Sequence, residues 1–345
     1  MSEKVSEKPP GGSKLVSSRE LASIREAFGK ALVEMGRKNS RIVVLDGDLA
    51  PSTRTALFAK EFPERFIEVG IAEQNMVGIA AGLAAVGYIP FACTFGVFIT
   101  KKACDQVSIS VAYPRLNVKL VGAYSGLFSG KTGATHQAIE DIAIMRAIPN
   151  MTVVVPADAV QLAKALEAIV EYEGPVYFRV ARDVYPVIFD ESYEFRLGRA
   201  VTLREGKDAS IIATGIMTHT ALEAAEELAR EGIDVRVINM CTIKPIDEEA
   251  IVRAAEETGG IVTAENHSII GGLGSAVAEV LVERCPVPMR RVGIRDTFGE
   301  SGPDEELREK YGLTSLQVRE QVYAVIETRG VDGRTEGEKT LENDH

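Results

Sequence analysis

Phe66-Ile-Glu-Val-Gly-Ile-Ala-Glu-Gln-Asn-Met-Val-Gly-Ile-Ala-Ala-Gly-Leu-Ala-Ala-Val-Gly87 is the stretch on which the reading of this chain turns. A strand-like run from Arg65 to Val69 reaches Gly70, and a helix follows that has almost no side chains: Gly78, Ala80, Ala81, Gly82, Ala84 and Ala85. Residues this small fill a core poorly but let another backbone approach closely. Glu73 stands where the helix begins. A carboxylate there is either an N-terminal charge that favours the helix dipole or a functional acid held at an interface, and the stretch alone leaves both open.

Outward from it, short apolar runs alternate with helical patterns. Arg41-Ile-Val-Val-Leu-Asp46 is a continuous apolar run of the kind buried parallel strands show. Before it, Leu21, Ile24, Phe28, Leu32 and Met35 recur at helical spacing and predict a helix from Ser18 to about Met35. Strands are expected at Tyr88–Phe95, Val118–Gly122, Thr152–Val155 and Val176–Val180, with helices from Val97 to Ala112, Ala138 to Arg146 and Ala157 to Tyr172. A second unit repeats the rhythm: strands at Ala209–Ala213, Asp234–Asn239, Ile261–Glu265 and Pro288–Val292, with helices at His219–Glu231, Asp247–Thr258 and Leu273–Glu283. Two last helices are expected near Asp304–Tyr311 and Ser315–Glu327. The alternation gives the fold class: α/β, as two parallel-sheet domains with helices on both faces. The expected boundaries are a disordered leader over residues 1–17, a first domain over 18–184, a linker over 185–198, a second domain over 199–328 and a disordered tail over 329–345.

The 345 residues suffice for two domains, and 46% hydrophobic residues allow sizeable cores. A net charge of -11 argues against nucleic acid or another polyanion as a partner, so any anion site must be local. Cys93, Cys104, Cys241 and Cys285 are far apart and form no C-x-x-C pair, which fits a reducing, cytoplasmic setting. With no apolar run of 18 residues, no membrane span is expected.

Several segments agree in order and spacing with one family. Gly70-Ile-Ala-Glu-Gln-Asn-Met-Val-Gly-Ile-Ala80 closely resembles the pyrimidine-binding domain of transketolases, and so do Leu45-Asp-Gly-Asp-Leu-Ala-Pro-Ser-Thr53, Pro90-Phe-Ala-Cys-Thr-Phe-Gly-Val-Phe98, Gly130-Lys-Thr-Gly-Ala-Thr-His-Gln137 and Thr242-Ile-Lys-Pro-Ile-Asp247. The resemblance covers roughly residues 18 to 328. It implies a pyrimidine-binding domain followed by the family's C-terminal domain. The family's diphosphate-binding domain, with its Gly-Asp-Gly…Asn signature, has no counterpart here: Gly47-Asp48 is followed by Leu49, and Val331-Asp-Gly333 lies in the charged tail. The chain thus resembles the C-terminal subunit of a split transketolase. The resemblance implies thiamine diphosphate as cofactor, with Mg²⁺ or Ca²⁺ bound mainly by an N-terminal partner subunit and no metal ligand in this chain. It further implies an α₂β₂ assembly and a sugar phosphate or other anionic sugar as substrate, in pentose phosphate and carbohydrate metabolism.

Site roles follow from the same resemblance. The cofactor's own 4′-imino group deprotonates the thiazolium C2–H, and that form depends on an acid at N1′. Glu73 has this role by resemblance, since a carboxyl in a water-poor pocket disfavours its charged form. Phe95 and Phe98 flank the pyrimidine, Lys101 lines its edge, and Asp48 lies near the thiazolium and the subunit contact. Arg25, Ser52 and Arg182 match the positions that hold a distal phosphate, for which an arginine fork plus a hydroxyl is suitable chemistry. His136 reaches hydroxyls or phosphate oxygens near the reacting carbon. His219 and His267 have no such support and read as structural.

The departures fall at Tyr124, where transketolases commonly carry His, and at Gly130-Lys-Thr-Gly133, where they carry Gly-Glu-Asp-Gly. Tyr124 and Thr132 then face the donor sugar. Replacing two carboxylates by Lys131 and Thr132 shifts the loop's charge by about three units and makes it more attractive to an anion. The expectation is retained ketol transfer with an altered sugar preference, a branched or sulfonated sugar being compatible. A 1-deoxyxylulose-5-phosphate synthase, a 2-oxo acid dehydrogenase β-subunit and a non-catalytic scaffold are the alternatives. Ala72-Glu-Gln-Asn75 and Thr242-Ile-Lys-Pro245 favour transketolase among the enzymes, and retention of Glu73, Phe95, Phe98 and His136 together argues against a scaffold.

Overall fold

Parallel strands made of unbroken apolar runs can only be covered on both faces, and the chain builds two such sheets. The computed structural model describes residues 20–339, so the leader expected over 1–17 lies outside the described residues. The first sheet has seven strands, in the spatial order Thr242–Lys244, Thr152–Val154, Val176–Val180, Lys119–Ala123, Ile89–Phe95, Ile42–Asp46 and Phe66–Glu68. The second has five, in the order Met289–Ile294, Ile261–Ser268, Ala209–Ala213, Val235–Asn239 and Val201–Arg204. All the pairings are parallel except at one edge of each sheet, where Thr242–Lys244 and Val201–Arg204 run antiparallel. Every residue of Ile42–Asp46, Ile89–Phe95 and Val176–Val180 is buried.

Several boundaries differ from expectation for local reasons. The first helix begins at Ile24, not Ser18, because Ser23 caps it, its hydroxyl accepting from the Glu26 N–H at 3.4 Å. The preceding Leu21–Ser23 is extended and pairs antiparallel with Val184–Pro186. The helix expected from Val97 to Ala112 breaks into Gly96–Lys101, Cys104–Gln106 and a wider π turn over Val107–Ala112. The segment read as a linker buries Ile188, Phe189 and Tyr193, and the Asp158 carboxylate pins it by accepting from the Ile188 and Phe189 N–H groups at 2.6 and 2.9 Å. The last helix runs Ser315–Lys339 and does not end near Glu327, so the tail expected from residue 329 starts as helix, and residues 340–345 lie outside the described residues.

A buried ion pair of the first unit reaches into the second. Arg179, 6% exposed, donates to both carboxylate oxygens of Asp141, at 2.7 and 3.1 Å, and to the carbonyls of Ala138 at 3.1 Å and Asn266 at 2.9 Å. Burial alone would raise the Asp141 pKa, but the Arg179 charge and its hydrogen bonds hold it below the usual carboxylate range. His267 beside it is fully buried, and burial drives its pKa down. Its Nδ1–H donates to the Ser268 carbonyl at 2.6 Å and its Nε2 accepts from the Ala143 N–H at 3.3 Å, so the ring is neutral and structural. Glu265 caps the helix Leu273–Arg284 by accepting from the Leu273 and Gly274 N–H groups at 2.7 and 2.8 Å. Gly272 packs so tightly there that a Cβ would sit 2.0 Å from that carboxylate, which accounts for the glycine cluster as a strand-to-helix turn.

Removing one partner of the buried pair exposes the other's desolvation cost. Arg179→Met is expected to destabilise the full chain by about 3–5 kcal/mol in urea denaturation, with Arg179→Met/Asp141→Leu recovering a large part. Equal losses in the single and double variants would contradict this account.

Candidate functional site

The carboxyl end of the strand Ile42–Asp46 starts the site. Asp46 is fully buried and accepts from the Leu49 N–H at 2.6 Å and from the hydroxyls of Thr53 and Thr55, each at 2.7 Å. These bonds fold residues 47–55 into a tight turn in which Asp48 and Arg54 take φ values of 64° and 68°. Asp48 is exposed on this turn, and its N–H donates to Glu68 Oε1 at 2.8 Å. The same oxygen accepts from the Gly70 N–H at 2.9 Å, so the Asp48 turn is tied to the segment that leads into Glu73. Burial pushes the Asp46 pKa up to about 6, against the lowering effect of the two hydroxyls. Reading the sequence did not single out Asp46 for a role; the signal was there in a strand-end Asp followed by Thr53 and Thr55.

Glu73 is the first residue of the helix Glu73–Ala85 and is 5% exposed. Its carboxylate meets Lys102 Nζ at 3.1 Å, and that ammonium lies 4.3 Å from the centre of the Phe98 ring. The break in the chain after Lys101 is what brings Lys102, and not Lys101, to Glu73; Lys101 instead pairs with Glu140 at 2.6 Å. Phe98 stacks on Phe95 at 5.7 Å, and Phe95 stacks on Tyr124 at 4.3 Å. His136 sets its edge against both phenylalanines, at 6.0 and 5.3 Å, and its Nδ1 bonds the Thr135 hydroxyl at 2.8 Å.

Tyr124 is the hinge between this aromatic group and the arginines. It is buried with φ at 54°. Arg25 donates to its hydroxyl at 2.7 Å, and the guanidinium carbons of Arg25 and Arg182 lie 5.7 and 5.4 Å from its ring centre. Glu73, Lys102, Phe98, Phe95, Tyr124, Arg25 and Arg182 therefore form one unbroken chain of contacts, from a buried carboxyl to a pair of cations, with His136 alongside. Ser52 sits in the short helix Ala50–Thr53. That turn is joined to the Arg25 helix by an Arg54–Glu26 ion pair at 2.5 Å. Thr132 is exposed and its hydroxyl bonds the Ser129 hydroxyl at 2.7 Å. His219 lies apart, 3.4 Å from Glu223 one turn along its own helix. Among the described residues, no three His, Cys, Asp or Glu side chains cluster as metal ligands.

Comparison with known proteins settles the family. The transketolase pyrimidine-binding domain matches residues 20–187, and the transketolase C-terminal domain matches residues 198–318. The chain belongs to the transketolase family. It is 50% identical over 306 residues to the 6-deoxy-6-sulfo-D-fructose transketolase subunit SqwH of Clostridium sp. (strain MSTE9), covering 89% of this chain and 95% of that one. It is 47% identical over 302 residues to a putative transketolase C-terminal section of Methanocaldococcus jannaschii, covering 87% and 95%. A solved structure described as a split gene transketolase, inactive beta4 tetramer, superposes with a TM-score of 0.83 at 53% identity, covering 88% of this chain and 98% of that one. Within this transketolase-family chain, the candidate cluster lies wholly in the pyrimidine-binding domain.

The Asp46 cap makes a pH prediction. Its carboxyl holds a proton more tightly folded (pKa about 6) than in its ordinary state (3.8), so its stabilising contribution is complete below 3.8 and is lost as pH rises through 6. The stability difference between wild type and Asp46→Asn in urea denaturation should fall across that window, by up to about 1.4 kcal/mol per pH unit, and be flat above it. A difference independent of pH would contradict the assignment.

Proposed function

We propose that this chain is the C-terminal subunit of a thiamine-diphosphate-dependent transketolase, which moves a two-carbon ketol unit from an anionic ketose to an aldose acceptor. The single observation that carries this reading is the unbroken run from the buried Glu73 carboxyl, across Phe98, Phe95 and Tyr124, to Arg25 and Arg182.

The residues present fit one half of the cofactor. A buried carboxyl linked through Lys102 to a stacked pair of phenylalanines suits the aminopyrimidine, which wants an acid at N1′ and flat apolar walls. Bound there, thiamine diphosphate supplies the electron sink that ketol transfer requires. Glu73 holds the proton at N1′. Phe95 and Phe98 exclude water from the ring, and Lys101 and Asp48 border it. Lys102 now neutralises Glu73; its side chain is 48% exposed and can swing off the carboxylate without moving the helix. Arg25, Ser52 and Arg182 hold the distal anion of the sugar, while Tyr124, Thr132 and His136 bond its hydroxyls. The 6-deoxy-6-sulfo-D-fructose in the name of the Clostridium relative supports an anionic ketose in general.

The other half comes from a partner subunit that carries the diphosphate site with its Mg²⁺ or Ca²⁺, in an α₂β₂ assembly. The outer face of the Glu73–Ala85 helix supports this. A Cβ added at Gly78 or Gly82 would meet nothing; Ile71 and Val86 at the two ends of the helix are 74% and 73% exposed, and Ile109 and Tyr113 on and just past the π turn packed against it are 61% and 81% exposed. A face with such large apolar side chains and two bare glycines is suited to a second backbone at close range. A setting without disulfides fits the free thiols of Cys93, Cys104, Cys241 and Cys285.

Mixed with its diphosphate-binding partner, thiamine diphosphate, Mg²⁺ and a ketose phosphate donor, the chain is expected to give ketol transfer that drops about 10²-fold or more in Glu73→Gln, as loss of a positioned acid does. Full turnover by the Gln variant would overturn the role of Glu73, and transfer from pyruvate in place of the ketose would replace the reaction.

A further inference from the structure

The Gly130–Gly133 loop carries Lys131 and Thr132, and the C-terminal domain holds the loop and its two flanks at three points. The Leu127 N–H donates to Asn266 Oδ1 at 2.9 Å, Gln137 Nε2 donates to the Glu300 carbonyl at 2.9 Å, and the Gly130 N–H donates to Asp304 Oδ1 at 3.0 Å. Close packing sharpens the grip. A Cβ at Gly133 would lie 2.5 Å from Ser301 Oγ, and one at Gly299 would lie 1.9 Å from Gln137 Oε1. Segment 299–304 is thus moulded onto a loop of the other domain.

Asp304 occupies the decisive place in that segment. A Cβ at Gly130, its hydrogen-bond donor, would lie 2.6 Å from Arg182 Nη1, so the Asp304 carboxylate and the Arg182 guanidinium both lie against this one loop residue. The charged and titratable groups around it are Asp183 and Arg182 from the first domain and Tyr185 on the extended segment that follows, with Arg308 of the helix Asp304–Lys310 acting on Tyr185. Arg182 also reaches Asp183 Oδ2 at 3.4 Å. The Gly130–Gly133 loop has no carboxylate of its own, and Asp183 and Asp304 lie beside it.

We infer that Asp304 is a positioning residue for the substrate: it fixes the Gly130–Gly133 loop through the Gly130 N–H and competes with the substrate's anion for Arg182, which makes the C-terminal domain a determinant of sugar preference. The competition half rests on the reading of Arg182 and Thr132 as substrate-binding residues. Burial, with Asp183 next, pushes the Asp304 pKa up to about 7, so the competing charge is present above neutrality and fades below it.

Two variants separate the two effects. Asp304→Asn keeps an oxygen for the Gly130 N–H and removes the charge; Asp304→Ala removes both. In hydrogen–deuterium exchange of the full chain, peptides covering residues 127–137 are expected to exchange about tenfold faster in Asp304→Ala, as loss of one hydrogen bond predicts, and at the wild-type rate in Asp304→Asn. In the pair with its partner, KM for a ketose phosphate at about pH 8 should fall roughly two- to fivefold in Asp304→Asn with kcat nearly unchanged, the size of effect a part-exposed charge has. The wild-type KM should rise as pH goes from about 6 to 8, and that rise should vanish in Asp304→Asn. Wild-type exchange in Asp304→Ala overturns the positioning role, and an unchanged KM and pH profile in Asp304→Asn overturns the competition. A wild-type pair with no ketol transfer sinks the functional reading and the competition with it, and the exchange result still decides the positioning role.

Discussion

The Arg179 guanidinium is the constraint on which the site depends. It leaves the end of the strand Val176–Val180 and ties together the Asp141 carboxylate, the Ala138 carbonyl and the Asn266 carbonyl of the other domain. Between Tyr124 and Ala138 the chain is a long irregular loop, and such loops hold a shape only where their backbone groups find partners. Arg179 fixes the far end of this loop and the domain against which it leans. Tyr124 and His136 can then keep their spacing without secondary structure of their own, against Phe95, Phe98 and Arg25, which a strand end and two helices hold. A buried ion pair is a costly way to gain stability, but it is an effective way to fix one arrangement over another.

A second feature is the bare outer face of the helix that Glu73 begins. The helix after Glu73 buries Met76, Val77, Ala80 and Ala81 against the sheet and leaves Gly78 and Gly82 outward. Its sequence serves two packings at once: Met76, Val77, Ala80 and Ala81 face inward, and the outward positions Gly78 and Gly82 carry no side chain. Within one chain the outward glycines only weaken the helix. Under the proposed function they are half of an interface, and the carboxyl, two phenylalanines and two arginines are half of a catalytic site.

The parts of this picture that were legible in the sequence are those decided by local pattern. Ile42–Asp46 and Val176–Val180 announce themselves as buried strands, Glu73 as a helix-leading acid, and Phe95 and Phe98 as a pair on one face. What was not legible depends on partners far away in the chain. The strand Thr242–Lys244 crosses from the second unit to edge the first sheet, and three residues give too short a pattern to signal it. Ser23 caps a helix that periodicity would start at Ser18, because the pairing of Leu21–Ser23 with Val184–Pro186 draws the preceding residues into extended form. Lys102 reaches Glu73 only because the helix expected through Ala112 breaks after Lys101. Asp304 is separated from Gly130 by most of two domains, and nothing in either local sequence names the other.

The most direct test of the central claim, that this chain contributes half of a thiamine diphosphate site, is an experimental structure of the chain assembled with its diphosphate-binding partner and the cofactor. The account predicts that Glu73 reaches N1′, that Phe95 and Phe98 line the pyrimidine, and that the diphosphate and its metal touch the partner alone. A cofactor held wholly by the partner, with Glu73 still paired to Lys102 and out of contact, would contradict it.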